Sequence, residues 1–507
     1  MSAVEHRPGG PALGGAARPI SVMGERVAVA AVFLVYALLQ MNAIAHGNYA
    51  GQDFQRNKTI IVESSEDPLK ALTHPVYVGR GFPTLYHLWG GRIYLLVGKQ
   101  HYLPVLAYCN LGFNLIVLGL FYGLIRRIVR SVVLRVAWFL WTAFLPVAVI
   151  SSVVIASDAA TGLCFILAVW LNILAFERGR SLRSSTLLMT ALAVLLVLMV
   201  LIKMNYAMCI GGELLILIVL GTARLIPWRR FILALTLLAV IPLAASFTLY
   251  KAYLQEQINS SASQDRKIFP PEVVQMSLRS FLFFRPTDRE LLEAPYFHEL
   301  KYTKNGFVRP LHLNNYYSYP GMLPLAMFTD FLNIYQPIVF ASDSPGTVDE
   351  YYTRIRPPEN KVRMQWALKL GLFFYFAGFI LVPWLVIGIV KRAFFARLNG
   401  PDRDLTILAA LSGALFVGSA IYIFLFFDWP YVKAGWLPRF YWPALMGLFM
   451  LLFAALERSV VKKFPVSRLV ILTVALCQSV LNISFLWVPG HSKVFPSVDI
   501  VEQPVPG

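Results

Sequence analysis

Runs of close to twenty apolar residues recur along most of this 507-residue chain, and short clusters of arginine and lysine separate them. A helix needs about 20 apolar residues to cross the hydrocarbon of a bilayer. In hydrocarbon, every backbone N–H and C=O must find its partner within the protein, which helices achieve locally. A chain built this way folds as a bundle of spanning helices. Its composition agrees: 57% of residues are hydrophobic and 14% charged, where a soluble domain carries about a quarter charged. Mean hydropathy is +0.62.

Five basic clusters, at 126–135, 177–183, 224–230, 391–403 and 458–468, set the topology. Basic loops stay cytoplasmic, and placing all five inside leaves no short loop in conflict. The expected fold class is all-α, a polytopic membrane protein of about 11 transmembrane helices with an outer-face cap of short helices and loops. The spans are expected at 27–45, 104–125, 136–154, from just after Asp158 to 176, and at 186–202, 207–223, 231–250, 366–390, 405–427, 438–457 and 468–488. The amino terminus then lies inside and the carboxyl terminus outside. Residues 1–21, rich in Gly, Pro and Ala, form an expected disordered cytoplasmic tail. Residues 22–250 form an amino-terminal membrane module that includes outer loop one, 46–103. Residues 251–365 form an outer cap, 366–488 the carboxyl-terminal helices and 489–507 an outer tail. The first apolar run lacks a convincing cleavage site and is read as a retained helix.

The formal net charge of +18 does not point to nucleic acid. Under this topology the cytoplasmic segments hold 21 Lys/Arg against 6 Asp/Glu, and the remainder holds 24 against 21. The excess is the anchor of an inserted protein, and no nucleic-acid-binding motif accompanies it. Four cysteines, Cys109, Cys164, Cys209 and Cys477, lie in or beside apolar runs and read as small buried apolar residues. No Walker loop, paired CxxC, HExxH or GxSxG occurs, which argues against ATP-driven transport by this chain alone.

The costly polar residues fall on the outer side. Ionisable groups within or at the mouth of a span are functional candidates. Asp158, after Ser157, opens a span; it either holds a substrate, metal or nucleophile, or helps cap the following helix. Lys203 ends a span in Leu201-Ile-Lys-Met-Asn-Tyr206. It either snorkels to headgroups or offers a point charge to a lipid-linked phosphate. Glu213 lies deeper and needs a partner that the sequence does not name. Outer loop one carries Asp53, then His74-Pro75, then Pro83-Thr-Leu-Tyr86-His87, which leads into an expected short helix over 86–98 lying on the membrane. Arg439-Phe-Tyr441-Trp-Pro443 opens a late span. It reads as an interfacial aromatic belt or as a phosphate-capturing arginine among aromatics. In the cap, 322–340 is apolar and aromatic around Asp330, suited to lying on the bilayer or covering a cavity. The sequons at Asn57 and Asn259 decide nothing.

Taken in order, these positions resemble the C-type glycosyltransferase superfamily, polytopic enzymes that include protein O-mannosyltransferases and lipid A aminoarabinose transferases. The family's acid soon after the first span is matched by Asp53. Its His-Pro stretch leading to an amphipathic helix is matched by His74-Pro75-Val76-Tyr77 and 83–87. The Ser-Asp opening of a later span is matched by Ser157-Asp158, the Lys–Tyr turn by Lys203 and Tyr206, and the Arg-Tyr-x-x-Pro entry by Arg439 to Pro443. Two departures stand out: Gln52 replaces a second acid beside Asp53, and Val76 replaces the second proline. The resemblance implies sugar transfer from a polyprenyl-phosphate donor to a lipid, glycan or protein acceptor with inversion. Asp53 and Asp158 would be the catalytic acids. His74, Tyr86, His87, Lys203, Tyr206, Arg439 and Tyr441 would bind substrate. A divalent cation remains an option, and a bacterial inner membrane with the site facing the periplasm is the expected location. A lipid-linked glycan flippase is the rival, but it would show paired halves and midplane polar residues.

Overall fold

The computed structural model describes residues 22–45, 54–67, 85–177, 179–248, 277–289, 318–328, 359–395, 400–426 and 441–486. Helices are the only regular elements among them. In chain order they are α1 (Val22–Ala45), α2 (Phe54–Glu66), α3 (Leu85–Val97), α4 (Tyr102–Ile128), α5 (Val132–Ala143), α6 (Pro146–Val153), α7 (Asp158–Ala175), α8 (Leu182–Ile202) and α9 (Met208–Thr222). Then follow α10 (Trp228–Thr248), α11 (Leu278–Leu282), α12 (Tyr319–Phe328), α13 (Glu359–Phe395), α14 (Gly400–Phe426), α15 (Trp442–Val461) and α16 (Ser467–Leu486). Ten described helices are long and apolar enough to cross a membrane: α1, α4, α7 to α10 and α13 to α16. The protein is an all-α, integral multi-pass membrane protein.

One expected span differs. The run at 136–154 is not a single helix but the pair α5 and α6, interrupted at Phe144 and Leu145. Pro146 explains the break, since it has no N–H to donate and its ring clashes with the preceding turn. The freed groups are met from elsewhere. Asn482 of α16 donates to the Phe144 carbonyl at 2.9 Å. Inside α6, one turn beyond the break, Tyr36 of α1 and Asn114 of α4 also donate to the Ala148 carbonyl, at 3.1 and 3.0 Å, and hold the second half in place. A broken helix at membrane depth is tolerated only where protein satisfies it in this way.

All five basic clusters meet at one end of the bundle. Arg127 pairs with Asp404 at 3.0 Å, and Arg403 pairs with the same carboxylate at 2.8 Å while donating to the Phe176 carbonyl at 3.2 Å. Asp402 takes Arg392 and Arg458 at 2.9 and 2.7 Å. Glu457 accepts the Arg130 and Ser131 amides at 3.0 and 2.6 Å. Arg230 donates to the Ala175 carbonyl and the Ser185 hydroxyl. The acids that share these clusters thus fasten helices from both ends of the sequence together. Asp158, at the start of the 18-residue α7, and Lys203, just after the 21-residue α8, lie at the opposite end, about 30 Å away along those helices.

Two readings of surfaces are refined. Of 322–340, residues 322–328 are described, as part of α12, and of the two alternatives this stretch does not take the bilayer-lying one but packs into the bundle: Met322, Leu323, Met327 and Phe328 are buried. Phe328 lies beside Trp141 of α5, and Tyr375 of α13 donates to the Pro320 carbonyl at 2.8 Å. Of the cysteines, all free, Cys209 is buried and Cys109 and Cys164 half-buried, but Cys477 is exposed on the outside of α16, where an apolar thiol can face lipid.

Candidate functional site

The site is built on the open backbone between α6 and α7. Residues 154–157 are not helical, and side chains add to the few backbone bonds there, such as that from the Ala156 amide to the Val154 carbonyl at 2.8 Å. Asn110 of α4 donates to the Val154 carbonyl at 2.8 Å, and Asn57 of α2 to the Ile155 carbonyl at 2.7 Å. Trp442, the first residue of α15, donates its indole N–H to the Asp158 carbonyl at 3.1 Å. Three helices far apart in sequence thereby fix the entry to α7. A buried carbonyl left without a donor would cost about 1–3 kcal/mol, so the Asn57 amide on the Ile155 carbonyl is a strong positional constraint.

Asp158 is not the helix cap. Ser157 occupies the N-cap position and makes no side-chain cap bond. The Asp158 carboxylate instead forms an ion pair with the Lys203 ammonium. Only 4% of the Asp158 side chain and 12% of the Lys203 side chain are exposed. Lys203 therefore does not simply snorkel into the headgroups. It follows α8 in an extended conformation (φ −157°) and leads into the 3-10 turn Met204–Ala207. The Tyr206 amide donates back to the Lys203 carbonyl at 3.0 Å, and the Tyr206 side chain is fully buried.

The short helices of outer loop one close the other side. The expected membrane-surface helix over 86–98 is α3, and it packs on α2 rather than lying alone. Gly90 and Gly91 allow the close crossing: a Cβ on Gly91 would come within 3.0 Å of the Ser65 backbone nitrogen. The crossing brings His87 to Asn57, with Nε2 3.0 Å from the carboxamide oxygen. Tyr86 accepts a hydrogen bond from Asn110 at 3.2 Å. Burial holds the Tyr86 hydroxyl well above the ordinary tyrosine range; the Asn110 bond opposes this and the nearby Asp158 charge adds to it. Tyr86 is therefore a neutral phenol that feels the Asp158 carboxylate.

Tyr441 and Trp442 are fully buried, which overturns the aromatic-belt reading for these two residues. Tyr441 shares a hydrogen bond with Tyr319 of α12 at 3.0 Å and meets Phe416 edge-on. Asp288 ties the cap together, accepting from the Ser318 hydroxyl at 2.6 Å and from the Arg285 amide at 2.7 Å. The described cap is thus docked on the same helix that supplies Trp442.

Of the residues expected to act, the structure joins Asp158 to Lys203, places Tyr206 three residues beyond, and reaches the same junction from Tyr86, His87 and, through its neighbour Trp442, Tyr441. Asp53, His74 and Arg439 lie outside the described residues. Asn57, Asn110 and Trp442 were not singled out as site residues. The readable signal for one of them was a pair of amides, Asn110 and Asn114, one turn apart inside an apolar run. Asn57, read as a chance sequon, is buried and fully engaged. Glu213 finds its partner in Asn172 at 2.7 Å, within the bundle and away from this junction. Among the described residues no three of His, Cys, Asp and Glu come together as a metal site; Asp158 is held by an ammonium, so the described donors do not fit a divalent cation.

No family model matches the sequence, and no curated protein does. Among solved structures, the chain is similar to the oligosaccharyltransferase AglB of Archaeoglobus fulgidus in complex with an inhibitory peptide and a dolichol-phosphate. Identity is 12% and the TM-score 0.45, over 91% of this chain and 56% of that one. A structure of the Archaeoglobus fulgidus oligosaccharyltransferase with zinc and sulfate gives 14% and 0.46, over 90% and 53%. ArnT from Cupriavidus metallidurans in the apo state gives 15% and 0.32, over 85% and 76%. The chain spans just over half the length of the archaeal structures. At these identities and TM-scores, what the chain does has to be argued from its own side chains.

Proposed function

We propose that this protein is a membrane glycosyltransferase of the C-type superfamily, moving a sugar from a polyprenyl-phosphate donor to a lipid, glycan or protein acceptor at the outer face of the membrane. The observation that carries the reading is the buried Asp158–Lys203 ion pair, fixed on interrupted backbone at the end of the bundle remote from the basic clusters. Chains do not bury such a pair for stability, because desolvation offsets most of the attraction. A lysine held this way is positioned to meet an anion.

Asp53, which immediately precedes α2 in sequence, is the general base. Its carboxylate takes the proton from an acceptor hydroxyl or amine as that atom attacks the anomeric carbon. The bond from the anomeric carbon to the phosphate oxygen breaks on the opposite side, and polyprenyl phosphate leaves with the electron pair. The product is inverted. Negative charge grows on the leaving phosphate, and Lys203 and Arg439 offset it. An ammonium has three donors, enough for a carboxylate and a phosphate oxygen together. Asp158 aims the Lys203 side chain. His74, Tyr86, His87, Tyr206 and Tyr441 shape the surrounding cavity, and the segment 251–365 selects the acceptor.

The test is transfer from a polyprenyl-phosphate sugar by purified protein in liposomes, beside mass spectrometry of lipid extracts from a deletion strain. Asp53→Asn is expected to insert normally and abolish transfer, and the deletion strain to lack one sugar from an envelope lipid or glycan. Full transfer by the Asp53→Asn protein removes Asp53 from the base role. Donor movement across the bilayer without any new glycosidic bond would establish the flippase instead.

A further inference from the structure

At the basic end of the bundle, far from the candidate site, α1 and α4 enclose a groove of about 260 Å³ lined by Arg26, Arg126, Val29, Ala30, Phe33 and Tyr122, among others. Its position is separate from the Asp158 junction: Asn110 and Arg126 lie on the same helix, sixteen residues or about 24 Å apart.

The charges at its mouth are unbalanced. Glu25, which also lines the groove, is already matched. Arg135 clasps it through two nitrogens at 2.7 and 2.6 Å, and the Tyr122 hydroxyl donates to it as well. Arg127, next in sequence to Arg126, points the other way, pairing with Asp404 and lying over the Trp170 ring. Arg26 and Arg126 are both exposed, and neither has an ion-pair partner among the described residues. Arg126 acts on the Glu25 carboxylate only at a distance, so three arginines share one acid here and the mouth of the apolar channel keeps a net positive charge. On the same helix Val27, Leu34, Val35 and Leu38 are exposed, which in a spanning helix means that this face looks into lipid.

We propose that this groove binds one anionic glycerophospholipid of the surrounding bilayer, its phosphate between Arg26 and Arg126 and an acyl chain along Val29, Ala30 and Phe33. Guanidinium groups suit phosphate because each can donate two parallel hydrogen bonds. The apolar wall beside them selects a lipid over a soluble anion, and the two positive charges select an anionic headgroup over a zwitterionic one. Elsewhere at this end Arg392, Arg403 and Arg458 are paired with Asp402 and Asp404, while Arg229 and Lys462 are exposed; what sets this groove apart from those charges is the apolar channel beside its two arginines.

Native mass spectrometry of the purified full chain tests this, with phosphatidylglycerol or phosphatidylcholine added to the detergent. One phosphatidylglycerol is expected to be retained in preference to phosphatidylcholine. Arg26→Gln/Arg126→Gln is expected to lower that retention about thirtyfold, from about fivefold for each cation near an anionic headgroup. Arg229→Gln/Lys462→Gln, which removes two exposed charges at the same end but away from the groove, is expected to leave it unchanged. Ala30→Trp fills the channel, disturbs no core contact because Ala30 is exposed, and is expected to displace the lipid with both arginines in place. Equal retention of the two lipids, or phosphatidylglycerol retained undiminished by both the arginine double variant and Ala30→Trp, would overturn the proposal.

Discussion

The Asp158–Lys203 pair makes a quantitative prediction that separates its structural weight from its chemical one. In Lys203→Met the Asp158 carboxylate, with 4% of its side chain exposed, loses its counter-charge. Stranding one member of a buried pair costs about 3–5 kcal/mol. Asp158→Asn should cost less, about 1–3 kcal/mol, because the longer lysine stem, already 12% exposed, can carry its head outward. Removing both charges together leaves no stranded ion, and a neutral pair of similar volume is often tolerated. The double variant is therefore expected to be more stable than Lys203→Met alone, with a coupling of about 2–3 kcal/mol in the cycle. The assay is unfolding of the full chain in mixed detergent–SDS micelles, followed by circular dichroism. Sugar transfer is measured on the same samples and is expected to be absent from all three variants, including the restabilised double. Additivity of the two single changes within about 0.5 kcal/mol would show that the side chains do not meet. Full transfer by the double would show that they meet for stability alone.

Asn57→Ala removes the donor to the Ile155 carbonyl and the partner of His87, and is expected to cost about 1–3 kcal/mol in the same unfolding assay and to reduce transfer. Gly162→Ala would place a Cβ 2.3 Å from the Trp442 ring. Overpacking of this kind costs about 1–3 kcal/mol, and the indole should lose its bond to the Asp158 carbonyl, whereas Gly112→Ala meets nothing within 4 Å and should be silent; equal effects of the two would refute the packing argument. Asp404→Asn leaves Arg127 and Arg403 without their shared carboxylate. It is expected to lower the unfolding midpoint while the folded fraction transfers at the wild-type rate.

Most of the spanning helices were legible because apolar length is a local property. Basic clusters separate the runs, and the observed helices α7, α8 and α14 start within a few residues of where the runs start. The break at Phe144 and Leu145 was hidden because every residue from Ala143 to Ile150 is apolar or proline, and hydropathy does not register a lost backbone donor. The individual polar residues at the site were legible as expensive groups in lipid. Their pairing was not: Asp158 and Lys203 are 45 residues apart, and nothing in the intervening run encodes which way α8 returns. Trp442 was misread for a different reason. Tryptophan at the mouth of a span is usually an interfacial anchor, and only the tertiary structure, with the ring buried against Gly162 and bonded to the Asp158 carbonyl, reveals that it points inward.

The dependence of residues 154–158 on amides and an indole from α2, α4 and α15 has a consequence for biogenesis. The complete junction cannot exist in a nascent amino-terminal fragment, however well inserted, because Trp442 emerges almost three hundred residues after Asp158. The entry to α7 would therefore stay incompletely held until α15 has inserted.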